Sequence, residues 1–490
     1  MLALGAGWLI AQGDIMPLFI LAALTGMCTL ALTHRGLLLG ILVLAVLNGL
    51  PLINTSQTVA SKLTVEDFAT IALILVAALW WAFDHNASGP GRRAVAVSRL
   101  GTCLLMWWCL TFARSLIAHE VPPLRAVAFS RDFLYFALLL SVLPRVTLAS
   151  RDIRALVGLL TGGACLFAVG QILIATGFGQ PGNLIHFEYS AEQSGLTRVY
   201  SNMTDLVNAA LAISVAACLL ATDRRLRALA APVALLLSIS VVVQLTRARW
   251  IGLLLGLILV SVWLASQADA RTARILRRRL TLLLGALVTI TISAALLAPS
   301  LGSSGTIFQR AISIFSDLQS SSGTVAVRTA LSKTMLADLG EHWSIGLGFV
   351  PPYSHYYIGL RSGSIRDPDV GVLNALMTMG LVGALLLYAP IALVLSACLR
   401  RSAEATSQTY RWLRYGGAVW LVAALVSSLT LVTLFSTSGL ALTAVVLAVL
   451  VHPDISPPEA LAAKAPSTGG GPYRITRGAA ANLTPSPMRS

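Results

Sequence analysis

Apolar residues run in blocks of about twenty, divided by short arginine-bearing stretches, from residue 15 to residue 451. A helix needs about 20 such residues to cross the hydrocarbon core of a bilayer. The blocks predict spanning helices near 15–32, 37–53, 65–83, 100–118, 127–144, 154–176, 205–221, 229–245, 250–266, 280–298, 370–398, 415–433 and 437–451. Residues 1–11 form a further short apolar run, read as a first span. The run lacks the basic start and the cleavage site of a signal peptide. The expected class is an all-α, polytopic transmembrane helix bundle of 13–14 spans.

Composition removes the alternatives. Of 490 residues, 56% are hydrophobic and 11% charged, with a mean hydropathy of +0.80. Soluble domains carry about 25% charged residues, so a multidomain soluble enzyme is excluded. The net charge of +15 would suggest a nucleic-acid partner in a soluble chain. Here the basic residues lie in loops between spans, and no nucleic-acid partner is expected. The six cysteines fall inside apolar spans without a CxxC pair, which predicts neither disulfides nor a metal cluster.

Loop charge gives the orientation. One set of alternate loops, beginning with Arg35 and ending with Arg411 and Arg414, carries nineteen arginines. The opposite short loops hold chiefly Lys62, Arg125, Arg198, Arg247 and Arg249. The first set is read as cytoplasmic. The division is then a transmembrane bundle over 1–298, a long outer loop over 299–369, transmembrane helices over 370–451 and a cytoplasmic tail over 452–490. That tail is rich in Pro, Gly, Ser and Ala and is expected to be disordered.

Against that bias, the outer arginines stand out. Arg247 and Arg249 sit in TRARW, between two apolar runs with almost no loop. Snorkelling to the interface is the ordinary fate of such side chains, but snorkelling arginines should follow the inside bias. These defy it, which points to a cavity or a ligand. Arg114, Arg125 and Arg131 also lie on or near the outer side, and Asp132 after Arg131 offers a local ion pair as a competing explanation.

The long outer loop has its own elements. Ile307, Phe308, Ala311, Ile312, Phe315 and Leu318 share one face of an amphipathic helix. A second helix is expected over 325–339 and carries Arg328. Gly346-Leu347-Gly348 forms a turn, followed by His355 in PPYSHYY and by Asp367-Pro368-Asp369. The DxD spacing fits a metal that holds nucleotide sugars, but those are made on the other side of the membrane, so no metal and no cofactor are expected. His355 beside tyrosines is either an ordinary interfacial histidine or a proton acceptor. The guanidinium fork suits phosphate oxygens, and a pyrophosphate at a membrane surface implies a lipid-linked substrate. A carboxylate or a histidine nearby would take the proton from an attacking hydroxyl.

Three ordered segments carry a family resemblance. TRARWIGLLLGLILV (246–260) is similar to an arginine motif that opens a span, and RTALSKTMLADLGEHWSIGLGF (328–349) to an arginine motif followed by an aromatic residue and Gly-x-Gly. DVGVLNALMTMGLVG (369–383) leads into a span through Gly-Leu-x-Gly, and RVYSNMTDLVN (198–208) adds a weaker likeness. The set resembles the O-antigen ligase and O-antigen polymerase family of bacterial inner-membrane proteins. The resemblance implies periplasmic glycosyl transfer from an undecaprenyl-pyrophosphate-linked oligosaccharide to an acceptor glycan or lipid, without metal. It assigns Arg247 and Arg328 to the pyrophosphate, with Arg249 and Arg198 as helpers. Counting back from Gly380, the histidine column of the ligases falls on Asp369, with His355 close in sequence. That departure favours a polymerase of exopolysaccharide or O-antigen repeats over a ligase acting on lipid A–core. A flippase or other transporter is the rival class, but no internal repeat is visible. A peptidoglycan glycosyltransferase of the shape-and-division type has similar chemistry.

Overall fold

The computed structural model describes residues 35–48, 64–84, 91–176, 189–193, 196–244, 246–267, 324–350, 371–399, 410–429 and 436–452, with a few isolated positions besides. The expected elements at 1–11, 15–32, 280–298 and 307–318 fall wholly or almost wholly outside the described residues. So do His355, the 367–369 triplet and the tail beyond 452.

The chain is an all-α helix bundle. Its helices are α1 (Arg35–Leu47), α2 (Val65–Phe83), α3 (Arg92–Ile117), α4 (Pro123–Val142), α5 (Ser150–Ala175), α6 (Met203–Leu220), α7 (Arg224–Val243), α8 (Arg247–Gln267), α9 (Thr324–Leu339), α10 (Gly371–Leu399), α11 (Arg411–Ser428) and α12 (Thr437–Leu450). Eight of these, α2 to α8 and α10, are long and apolar enough to cross a membrane. One departure from helix lies in the expected 178–204 loop. There β1 (Tyr189–Gln193) pairs antiparallel with β2 (Leu196–Tyr200), setting Ala191 opposite Arg198.

Successive spans alternate in direction, so polar contacts gather at two ends. At one end, Arg35 donates to Asp84 through Nη1 (2.6 Å) and Nη2 (3.0 Å), and Thr147 Oγ1 donates to the same carboxylate at 2.5 Å. Burial raises the Asp84 pKa, but these bonds outweigh it and hold the group below the usual carboxylate value. Tyr410 OH, just before α11, donates to Ser150 O at the start of α5 (3.1 Å). The opposite end joins the starts of α2, α4, α6, α8 and α12 to the end of α3, and it holds the candidate site.

Between the ends the core is apolar, with Phe136, Phe167, Leu73 and Leu104 fully buried. α8 lies close on α11 because Gly252 and Gly256 face it. A Cβ at either would come within 2.7 Å of Ala423 O or 2.6 Å of Val419 O. Small residues four apart let two helix backbones approach, and that packing substitutes for the hydrophobic drive that lipid removes.

Candidate functional site

At this end three aspartates lie within the first three turns of spanning helices: Asp67 on α2, Asp132 on α4 and Asp205 on α6. Charges at that depth require partners, and the structure supplies them. Arg131 donates to Asp67 at 2.7 Å and lies 3.8 Å from its sequence neighbour Asp132. The looser local pair has a simple cause, since adjacent residues on a helix do not face each other. Asp132 instead accepts a hydrogen bond from Thr437 at the start of α12. Glu66 accepts from Asn202 Nδ2 at 3.1 Å, which ties α2 to the approach to α6.

Arg247 and Arg249 both stand in the first turn of α8, as the TRARW pattern requires. Arg249 is buried, and its Nη2 donates to Asp205 at 3.1 Å, so its charge is met inside the protein. Arg247 is half-buried. Arg328 falls in the second turn of α9 and Arg198 in β2, while His355 and Asp369 lie outside the described residues. The structure therefore joins two of the six expected site residues in one turn and gives one of those two, Arg249, an acidic partner.

The segment after α9 is sewn into α10. Gly380 adopts φ 67°, ψ −174° in the middle of that helix and breaks its ladder. The bonds that Leu381 and Val382 would make to Met377 and Thr378 are exchanged. Leu381 N donates to Trp343 O (2.9 Å) and Val382 N to Ser344 O (3.3 Å). The freed carbonyls of Met377 and Thr378 accept from Leu347 N (2.6 Å) and Gly348 N (3.0 Å). These four backbone groups are thus paired again, as a broken helix at membrane depth requires. Trp107 on α3 donates its Nε1 to Met379 O at 2.9 Å, and Gly383 leaves room for that ring. The Gly-Leu-x-Gly motif has its physical reason here.

The end of α3 holds the same segment from the other side. Arg114 donates to Gly346 O and lies 3.5 Å from His342 Nδ1, and Phe349 N donates to Ser115 Oγ at 2.7 Å. His119 follows α3 and packs beside Gly348. Burial, and then the charges of Arg114 and His342, push its pKa below the ordinary histidine value. Its Nε2 is buried with no hydrogen bond among the described residues. The α9 arm is therefore fixed on the bundle by backbone bonds, by Arg114, and by Met335, Leu339 and Leu347 packed with Met377.

Sequence reasoning missed Asp67, Asp205, His119 and His342. For the two aspartates the signal was present, as an acidic residue in the first turn of an apolar span with a cation of the sparsely charged loops, Lys62 or Arg198, a few residues before it. The two histidines carried none. Among the described residues no group of His, Cys, Asp or Glu is placed to hold a metal.

A comparison with curated proteins finds no match. A comparison with protein families matches residues 209–388 to the family described as O-antigen ligase. The match runs from α6 into α10 and takes in Arg247, Arg249, Arg328, the Gly346 turn and the Gly380 break. Over that segment, somewhat more than a third of the chain, the protein is similar to the O-antigen ligase family.

Proposed function

We propose that the protein transfers a glycan from an undecaprenyl-pyrophosphate carrier to a hydroxyl acceptor at the periplasmic face of the bacterial inner membrane. The preferred reaction is polymerisation of exopolysaccharide or O-antigen repeat units. The observation that carries the reading is the family match over a segment containing Arg247, Arg249 and Arg328. Arg247 and Arg328 bind the diphosphate and stabilise the charge that grows on it as the sugar–phosphate bond breaks. Arg249 helps by anchoring the first turn of α8 through Asp205, and Arg198 is a further helper. The acceptor hydroxyl attacks the anomeric carbon, the diphosphate leaves with the bonding pair, and Asp369 or His355 takes the hydroxyl proton. The long loop is periplasmic and the tail beyond 452 cytoplasmic, in keeping with the arginine bias of the loops.

Ligation to lipid A–core is the second reading, favoured by the description of the matched family. Deletion of the gene separates the readings. Loss of a polymerase leaves single repeat units on the carrier or the core, loss of a ligase leaves long lipid-linked polymer, and loss of a flippase traps repeats in the cytosol. The site is tested by Arg247→Ala and Arg328→Ala in the deletion strain. Both variants are expected to insert in the membrane and to make no polymer on a gel of extracted polysaccharide. Native polymer lengths in both would remove the diphosphate site.

A further inference from the structure

The Asp205–Arg249 pair does not fill the space around it. A small cavity remains between α6, α8, α11 and α12; its lining is mostly apolar, with Leu253, Ala423 and Trp420, and Asp205, Asn208 and Arg249 are polar groups within it. It has room for a water-sized group. Two of its lining side chains are more than nine-tenths buried and present atoms with no partner among the described residues: Asn208 Oδ1 and Arg249 Nε. Leaving a buried polar atom unpaired is costly, so native proteins seldom line one cavity with two such residues without a ligand or water to meet them.

The two atoms ask for opposite things. Asn208 Oδ1 needs a donor and Arg249 Nε–H needs an acceptor. An anion is disfavoured by the Asp205 carboxylate and offers no proton to Asn208. A cation is disfavoured by Arg249. A neutral hydroxyl gives one proton and accepts at its lone pairs, so it satisfies both. Trp420 adds an aromatic wall of the sort that covers the apolar side of a polar ligand. The position is telling as well, because Asp205, Arg249 and Gly439 of the lining stand in the first turns of α6, α8 and α12, and Arg249 is two residues from Arg247 in sequence.

We infer that this cavity is a sugar-hydroxyl subsite, in which Asn208 and Arg249 grip one hydroxyl arm of the glycan that the enzyme transfers or extends. The inference rests on the glycosyl-transfer reading above and adds to it the residues that select the sugar. Arg249 thereby contributes through a neutral hydroxyl, while the diphosphate belongs to Arg247 and Arg328.

The test uses the purified full-length protein and lipid-linked glycan extracted from the host strain that lacks the gene. Asn208→Leu fills the cavity and removes the acceptor, Asn208→Ala removes the acceptor alone, and Asn208→Asp keeps an oxygen there. The KM for the extracted glycan should rise about tenfold in the Leu and Ala variants, the size of one lost hydrogen bond in a buried site, and should return toward native in the Asp variant. Glycan should raise the Tm of the native protein but not of Asn208→Leu. Should Asn208→Leu fail to fold, Asn208→Ala carries the comparison. Native KM and a native glycan-induced Tm shift in the folded variants would show that the cavity holds only water and would overturn the inference. If Arg247→Ala abolishes transfer while the Asn208 variants behave as native, the diphosphate reading stands and this one falls. No transfer and no Tm shift by the native protein would remove both.

Discussion

Gly346 and Gly380 occupy each other's side-chain space: a Cβ built on either comes within 2.4 Å of the backbone nitrogen of the other. Both hold left-handed backbone, with φ of 75° and 67°. Gly380→Ala therefore pays twice, once for a conformation that L-residues avoid and once for a collision with backbone that cannot move aside. The expected loss is about 2–5 kcal/mol. A thermal melt in detergent should show it as an early, separate loss of the arm, and transfer should fall with it. Gly346→Ala should behave alike. An alanine variant at either position with native Tm and activity would mean that the hydrogen-bond exchange at the helix break does not hold in the membrane.

Arg249 and Asp205 test whether a buried pair is kept for stability or for use. Asp205→Asn leaves the guanidinium buried and uncompensated, at a cost of about 3–5 kcal/mol. The double change Asp205→Leu with Arg249→Met removes both charges and should recover most of that stability. Activity should not return with it, because the hydroxyl ligand of Arg249 and the setting of the α8 first turn are both lost. A double variant that is stable and fully active would reduce the pair to scaffolding. Unfolding temperature and polymer length, measured on the same preparations, decide between these outcomes.

The spans were legible because hydropathy alone sets them. The run at 65–83 coincides with α2, and α10 lies within one residue of its expected bounds. α3 begins at Arg92, eight residues before the apolar run, because a helix continues into the interface where basic residues remain hydrated. The break at Gly380 was not legible. The apolar run across it is continuous, and an exchange of hydrogen-bond partners leaves no trace in hydropathy. Arg131 shows the same limit. Its sequence neighbour Asp132 was the visible partner, while the tighter one, Asp67, is 64 residues away and set by the packing of α2 on α4. The TRARW arginines were found from charge bias, yet the acid that pairs with Arg249 needed the fold.

Gly256 tests the packing of α8 on α11, seven residues along α8 from Arg249. Its missing side chain lets α8 approach Val419 O of α11. Gly256→Leu must push the two helices apart, at an expected cost of about 1–3 kcal/mol. A lower Tm with loss of activity only above the new transition would fit packing as the sole role. Loss of transfer in fully folded protein would instead connect the α8–α11 contact to the geometry of the α8 first turn.

His119 gives the arm a pH dependence of definite sign. Its folded-state pKa lies below the ordinary 6.5, because burial and the nearby Arg114 and His342 disfavour the imidazolium. As pH falls through 6.5 the unfolded chain takes up this proton first, while the folded chain stays neutral. The contribution of His119 to stability is therefore complete above 6.5, shrinks as pH falls below it, and stops changing once the folded group is also protonated. Asp84 acts in a lower window. Its pKa is held below 3.8, so its contribution persists above that value and is lost only as pH falls through the lowered one. Melts from pH 8 to pH 5 should show Tm falling at the acid side, and His119→Gln should flatten that limb while leaving the Tm at pH 8 little changed. An unaltered acid limb in the glutamine variant would show that another group governs it and that His119 is solvated in the membrane-bound protein.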